Sequence, residues 1–233
     1  KTKKLKLKGG TPVKVETSST SPNNLVDAAS IGDKEIVVSL LEKGADLNKA
    51  NKDGETPLFA AAKNEHQQIL KLLLEKGADL NKANNNNETP LFAAAENGHK
   101  EIVVMLVNKG LDIKKKLNLN KANNDGKTPL FVAARNGHQD IVKLLLENNA
   151  DPNKANKKGQ TPLFAAAKNG HTEIVVMLLD KGANPNNVTI FNETPLFAAA
   201  RSSKNSLSMV NALLKKTVDL NKANKFDKTP LYI

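Results

Sequence analysis

The sequence predicts a mainly α-helical solenoid of stacked helix pairs, and three observations carry that prediction. Thr-Pro-Leu followed by an aromatic occurs six times: at Thr56-Pro57-Leu58-Phe59, Thr89-Pro90-Leu91-Phe92, Thr128-Pro129-Leu130-Phe131, Thr161-Pro162-Leu163-Phe164, Thr194-Pro195-Leu196-Phe197 and Thr229-Pro230-Leu231-Tyr232. The Thr-to-Thr steps are 33, 39, 33, 33 and 35 residues. A fixed period of this size marks a chain whose units bury their apolar faces only against their neighbours. Second, the regular unit reads as two short helices, an Ala-rich one and one with an Ile/Leu/Val face. Third, aromatics make up only 3% of the 233 residues. That is too few for large aromatic clusters and leaves Ala and Leu to fill closely packed helices.

Residues 1–23 differ from the rest. Lys4-Leu5-Lys6-Leu7-Lys8 alternates, Gly9-Gly10 offers a turn, and Pro12-Val13-Lys14-Val15-Glu16 alternates again. This reads as a small hairpin or as a basic tail that orders on contact. The Ser/Thr-rich run from Thr17 to Pro22 reads as a linker. The repeat domain spans 24–233. Its first unit, with Leu25-Val26-Asp27-Ala28-Ala29, lacks Thr-Pro, as an end repeat often does. Five full repeats start near 55, 88, 127, 160 and 193, and a truncated last one starts at 228. The chain has no initiator Met and stops just inside a unit, so it reads as a fragment of a longer protein.

The unit is clearest at 56–88. Thr56 can cap a helix whose first position is Pro57, where a missing N–H costs nothing. Leu58 to Lys63 form the first helix. Asn64-Glu65-His66 turn the chain, and Gln67 to Glu75 form the second helix with Ile69, Leu70, Leu72, Leu73 and Leu74 on its apolar face. Gly77 can take the left-handed conformation that ends it. An Asn-rich extended loop with a turn, Asp79 to Glu88, leads to the next Thr-Pro.

The string Asp53-Gly54-Glu55-Thr56-Pro57-Leu58, then Ala61-Ala62, then Gly77-Ala78-Asp79-Leu80-Asn81, with Gly98-His99 and Glu101-Ile102-Val103 in the next unit, resembles the ankyrin repeat. The resemblance covers about 24–233. It implies antiparallel helix pairs stacked side by side, with β-hairpin fingers projecting at roughly right angles. It also implies partner contacts at the finger tips and on the concave face lined by the first helices.

Three departures from that pattern stand out. The family's usual His after Thr-Pro-Leu is Phe, or Tyr in the last unit, and these six rings are expected to fill apolar space between units. The step of 39 inserts six residues near Ile113 to Asn118, Lys114, Lys115 and Lys116 among them. The step of 35 adds two residues within Arg201 to Ser208, where the Gly-His turn is lost and a longer, more mobile turn is expected.

No catalytic or metal chemistry is visible. There are no cysteines, hence no thiolate ligand or nucleophile. His66, His99, His138 and His171 share one repeat position, about 10 Å apart in such a stack. Two ligands of one zinc ion sit a few ångströms apart, so these His are expected to satisfy turn backbone groups instead. Asp46, Asp79, Asp112, Asp151 and Asp219 recur at the helix-to-finger junction and read as turn formers. No phosphate-binding Gly loop or hydrolase motif occurs. The glycosylation patterns at Asn87, Asn187 and Asn192 place two of their three Thr at helix caps. No enzyme activity, cofactor or metal is therefore expected.

Net charge is +11, of which residues 1–23 contribute +5. Such charge can favour acidic partners, nucleic acid or anionic membrane. Many Glu and Asp dilute it in the repeats, and no stacking aromatics line a basic strip, which disfavours nucleic acid.

Comparing units separates framework from recognition. At the position of Asp53, successive fingers carry Asn86, Asp125, Lys158, Phe191 and Phe226. The two aromatics outside the framework thus fall on adjacent fingers, flanked by charge, as interface anchors do; the alternative is that Ile190 and Phe226 simply pack on each other or on the end of the stack. The expected partner-binding residues are Ile190, Phe191, Phe226, Lys157, Lys158 and Lys225, with Arg135, Lys168 and Arg201 on the groove side. Lys114, Lys115 and Lys116 are a candidate polyanion contact. The leading expectation is a protein–protein interaction scaffold, monomeric, intracellular and cytoplasmic, without a transmembrane segment. The alternatives are electrostatic binding through the Lys clusters, or a targeting piece of a larger multidomain protein.

Overall fold

The structure is a computed structural model and describes residues 24–112, 117–202 and 207–232. The reading of residues 1–23, the three Lys at 114–116 and the centre of the Arg201-to-Ser208 turn lie outside the described residues.

Helices come in pairs along the chain: α1 Leu25–Ile31 with α2 Lys34–Glu42, α3 Pro57–Lys63 with α4 Gln67–Glu75, α5 Pro90–Asn97 with α6 Lys100–Asp112, α7 Pro129–Asn136 with α8 Gln139–Glu147, α9 Pro162–Asn169 with α10 Thr172–Asp180, and α11 Pro195–Arg201 with α12 Leu207–Leu214. The first helix of each pair packs on the first helix of the next, from α1 to α11, and the second helices form a parallel layer behind them. The core is therefore a continuous strip running the length of the stack.

The inner helices start where sequence chemistry puts them. The Oγ1 of Thr56, Thr89, Thr128, Thr161 and Thr194 accepts the N–H of the Phe three residues on, at 3.1–3.2 Å. Each such cap stabilises its helix by about 1 kcal/mol. The five Phe rings that follow are buried between units, as expected. So are the Ala runs such as Ala60-Ala61-Ala62 and Ala165-Ala166-Ala167, which allow the close helix approach that bulkier residues would block. Tyr232 departs from the expectation: it is 74% exposed. Its unit forms a turn at Thr229, with the Tyr232 N–H donating to the Thr229 carbonyl.

All four His do the same work. The Nε2 of His66, His99, His138 and His171 lies 2.9–3.1 Å from the carbonyl oxygen of Ser30, Lys63, Glu96 and Arg135, each in the preceding unit. They are ties between units, as the turn-satisfying reading anticipated.

The fingers carry no strand among the described residues. Each is a hairpin organised by one side chain. The Oδ1 of Asn51, Asn84, Asn123, Asn156 and Asn224 accepts the backbone N–H groups two and four residues on, and Thr189 does so through Oγ1. Adjacent fingers are joined tip to tip. The N–H of Asn85, Asn124, Lys157, Ile190 and Lys225 donates to the carbonyl of Asp53, Asn86, Asp125, Lys158 and Phe191.

A second ladder runs through the helix-to-finger junctions. Asn48, Asn81, Asn120, Asn153 and Asn186 accept, through Oδ1, the N–H of residues 79, 118, 151, 184 and 219 in the next unit. Asp46, Asp79, Asp151 and Asp219 are turn formers at these junctions, each accepting the N–H two residues on. The same reading of Asp112 rests on a side chain that lies outside the described residues. The helix α6 continues through Gly110 to Asp112, and Asn118 takes the junction position, accepting the Asn120 N–H. The inserted residues are thus partly absorbed as added helix. The chain re-enters the stack at Leu117, whose Cβ lies 2.5 Å from where a Cβ on Gly110 would stand.

Candidate functional site

The tip ladder aligns Asp53, Asn86, Asp125, Lys158, Phe191 and Phe226 in one row, because each rung bonds a backbone group at or beside the tip residue. The row changes from polar and acidic to basic and then aromatic. At its far end the rings of Phe191 and Phe226 stack, with centroids 6.4 Å apart and planes inclined by 24°. They remain 46% and 67% exposed. Phe191 and Phe226 thus meet across adjacent fingers as a solvent-facing pair, a geometry favourable for aromatic contact.

This pair forms one side of a groove of about 570 Å³. Lys158, Gln160 and Glu193 line it from the fingers, and Phe164, Lys168, Phe197, Ala198, Arg201 and Ser202 line it from α9, α11 and the residue that follows α11. Five of the expected residues therefore converge: Lys158, Lys168, Phe191, Arg201 and Phe226. Ile190 is 49% exposed on the finger that carries Phe191 but does not line the groove. Lys157 and Lys225 sit exposed at the tips, with their backbone N–H groups spent on the ladder. Arg135 lies one unit upstream, held by Glu96 at 3.1 Å. Sequence reasoning assigned Phe164 and Phe197 to the framework alone. They are buried there, yet both also line the groove.

The charges along this side differ from unit to unit. Lys63 pairs with Glu55 at 3.0 Å, and Arg201 pairs with Glu193 at 3.0 Å. In both, the carboxylate lies eight residues before the cation, on the finger that leads into its helix. Both cations also sit 6.0 Å from a framework ring, Phe59 and Phe197. At the same offset before Lys168 stands Gln160, which is neutral. Among the described residues Lys168 has no carboxylate partner. Further back in the row, a hydrogen bond from Lys127 holds the Asp125 carboxyl below its usual pKa, helped by the charge of Lys127 and the fields of Lys157 and Lys158. Asp125 therefore answers part of the basic tip charge, while the groove beyond it keeps Lys158 and Lys168 against a single Glu193–Arg201 pair.

Among the described residues no group of three or more His, Asp or Glu is arranged to hold a metal ion. No helix among them is long and apolar enough to cross a membrane. The amides of Asn87 and Asn192, two of the glycosylation-pattern residues, donate to the Ala122 and Ala223 carbonyls of the following fingers.

Comparison with known protein families matches residues 25–117 and 113–189 to a family described as ankyrin repeats in three copies. Residues 191–225 match a single ankyrin repeat. Among curated proteins, none matches the chain.

Proposed function

The chain belongs to the ankyrin repeat family, and from that premise we propose that it is a scaffold that holds a partner protein through its finger tips and concave face. Ankyrin repeats are generally protein–protein interaction modules. The observation that carries the finer reading is the groove beside Phe191 and Phe226. It offers exposed aromatic area on a backbone row fixed by hydrogen bonds. Anchors of this kind lose little freedom on binding and so contribute affinity efficiently. The partner-binding set is centred on Phe191, Phe226, Lys158, Lys168 and Arg201, with Ile190, Lys157, Lys225 and Arg135 at its rim. The scaffold works as a monomer in the cytoplasm and performs no catalysis of its own.

The test uses immobilised wild-type chain and the Phe191→Ser/Phe226→Ser variant to capture proteins from native cell extract. The variant is expected to lose the partner that the wild type retains, while its thermal melting stays nearly unchanged. Retention of the same partner by the variant, or a loss of stability that parallels the loss of capture, overturns the reading.

A further inference from the structure

Resting on the groove reading above, we propose that the occupant is an acidic linear peptide segment with one large apolar side chain. Its carboxylate pairs with Lys168, and its apolar side chain packs on the Phe191–Phe226 pair. The argument comes from comparing units within the chain. Where a cation stands at this helix position and a Glu precedes it by eight residues, the two close on each other: Lys63 on Glu55 and Arg201 on Glu193, both at 3.0 Å. The unit that carries Lys168, which also lines the groove, lacks this Glu. Gln160 keeps the finger geometry, its Oε1 accepting from Asn156 at 3.0 Å as Glu88 accepts from Asn84. It supplies no charge, so Lys168 faces the groove with the carboxylate missing. Lys158 faces the same space. A partner carboxylate at Lys168 would complete an arrangement that the fold already builds twice. The aromatic pair lies within the same groove, so one short segment can satisfy both. Charge selects acidic sequences and steers their approach, while the rings supply the desolvated anchor.

The chain contains no Trp, so the emission of a Trp-containing probe reports on the probe alone. The probe is a short synthetic peptide with one Trp between paired Glu residues, and the control replaces each Glu by Gln. Saturable blue-shifted emission is expected for the Glu peptide, with at least about tenfold weaker binding of the Gln peptide. Lys168→Gln should weaken the Glu peptide comparably, and Lys63→Gln should leave it unchanged. Gln160→Glu installs the residue that other units carry at this place. It should fold normally, close on Lys168 and weaken the Glu peptide in the same way. Equal binding of the Glu and Gln peptides, or indifference to both Lys168→Gln and Gln160→Glu, overturns the acidic class. The scaffold reading would still stand on the capture experiment. Failure of the Glu peptide to bind, or its displacement by oligothymidylate of matched charge through Lys168, likewise overturns the peptide assignment.

Discussion

At the residue scale, single positions carry two duties at once. Gly98 ends α5 in the left-handed region, at φ 82°, and a Cβ there would lie 2.6 Å from Cε1 of His138 in the next unit. Gly32 with His66 and Gly137 with His171 repeat the arrangement. At these three positions glycine is favoured both by its own backbone and by the ring stacked against it. Where His99 meets the preceding unit, the position is Glu65, left-handed at φ 63°, and its carboxylate reaches the ring at 3.4 Å. Gly98→Ala is expected to destabilise by more than about 1 kcal/mol, combining backbone strain with the clash. In the Gly98→Ala/His138→Ala double variant the clash is gone. The double variant should then lose less than the sum of the two single losses, which a denaturant double-mutant cycle would read. Strict additivity would show that the ring does not press on the glycine.

At the element scale, the finger is the unit of recognition, and its shape depends on one acceptor. Asn156 is buried and accepts from Lys158 and Gln160, both of which line the groove. Thr189 performs the same task one unit on, at 3.2 and 3.3 Å. The chain thus contains its own conservative replacement. Asn156→Ala leaves two N–H groups without that acceptor and should cost about 1–3 kcal/mol. Asn156→Thr should recover most of that loss in urea melts. If Thr were as damaging as Ala, the acceptor would not be what holds the finger. The Asn-rich loops are the hydrogen-bonding apparatus of both ladders. The spacing of Asn51, Asn84, Asn123 and Asn156, each four residues before a finger's exit, was the signal that could have revealed it.

At the scale of the whole molecule, the substantial helix contacts among the described residues run within a unit or between neighbouring units. Stability then approximates a sum of unit and interface contributions. Thr56→Ala and Thr194→Ala remove equivalent caps at opposite ends of the stack. Each should cost about 1 kcal/mol, and the double variant should equal their sum within about 0.5 kcal/mol. A larger deviation in equilibrium unfolding would mean that strain travels along the stack. The same independence explains how one end can carry an aromatic, basic groove while the other keeps polar tips. Changing tip side chains leaves the backbone ladder that positions them intact.

The period, the caps, both helices of the regular unit and the shared role of the His were legible in the sequence, because each depends on neighbours a fixed number of residues away. The candidate site was legible in part. A unit-by-unit comparison singled out Phe191, Phe226, Lys158, Lys168 and Arg201, yet it could not tell that these five would meet in one groove while Ile190 and Arg135 stayed out of it. The path of the insertion was not legible either, since residues at the junction can continue a helix or leave it. Packing decided: Gly110 against Leu117 lets α6 run on to Asp112 and hands the junction to Asn118. Sequence by itself determined what repeats, because repetition is a local property of residue type and spacing. Only the tertiary structure decided what is left unmatched, the cation of Lys168 and the outer faces of two stacked rings, because a missing partner is defined by everything that packs around it.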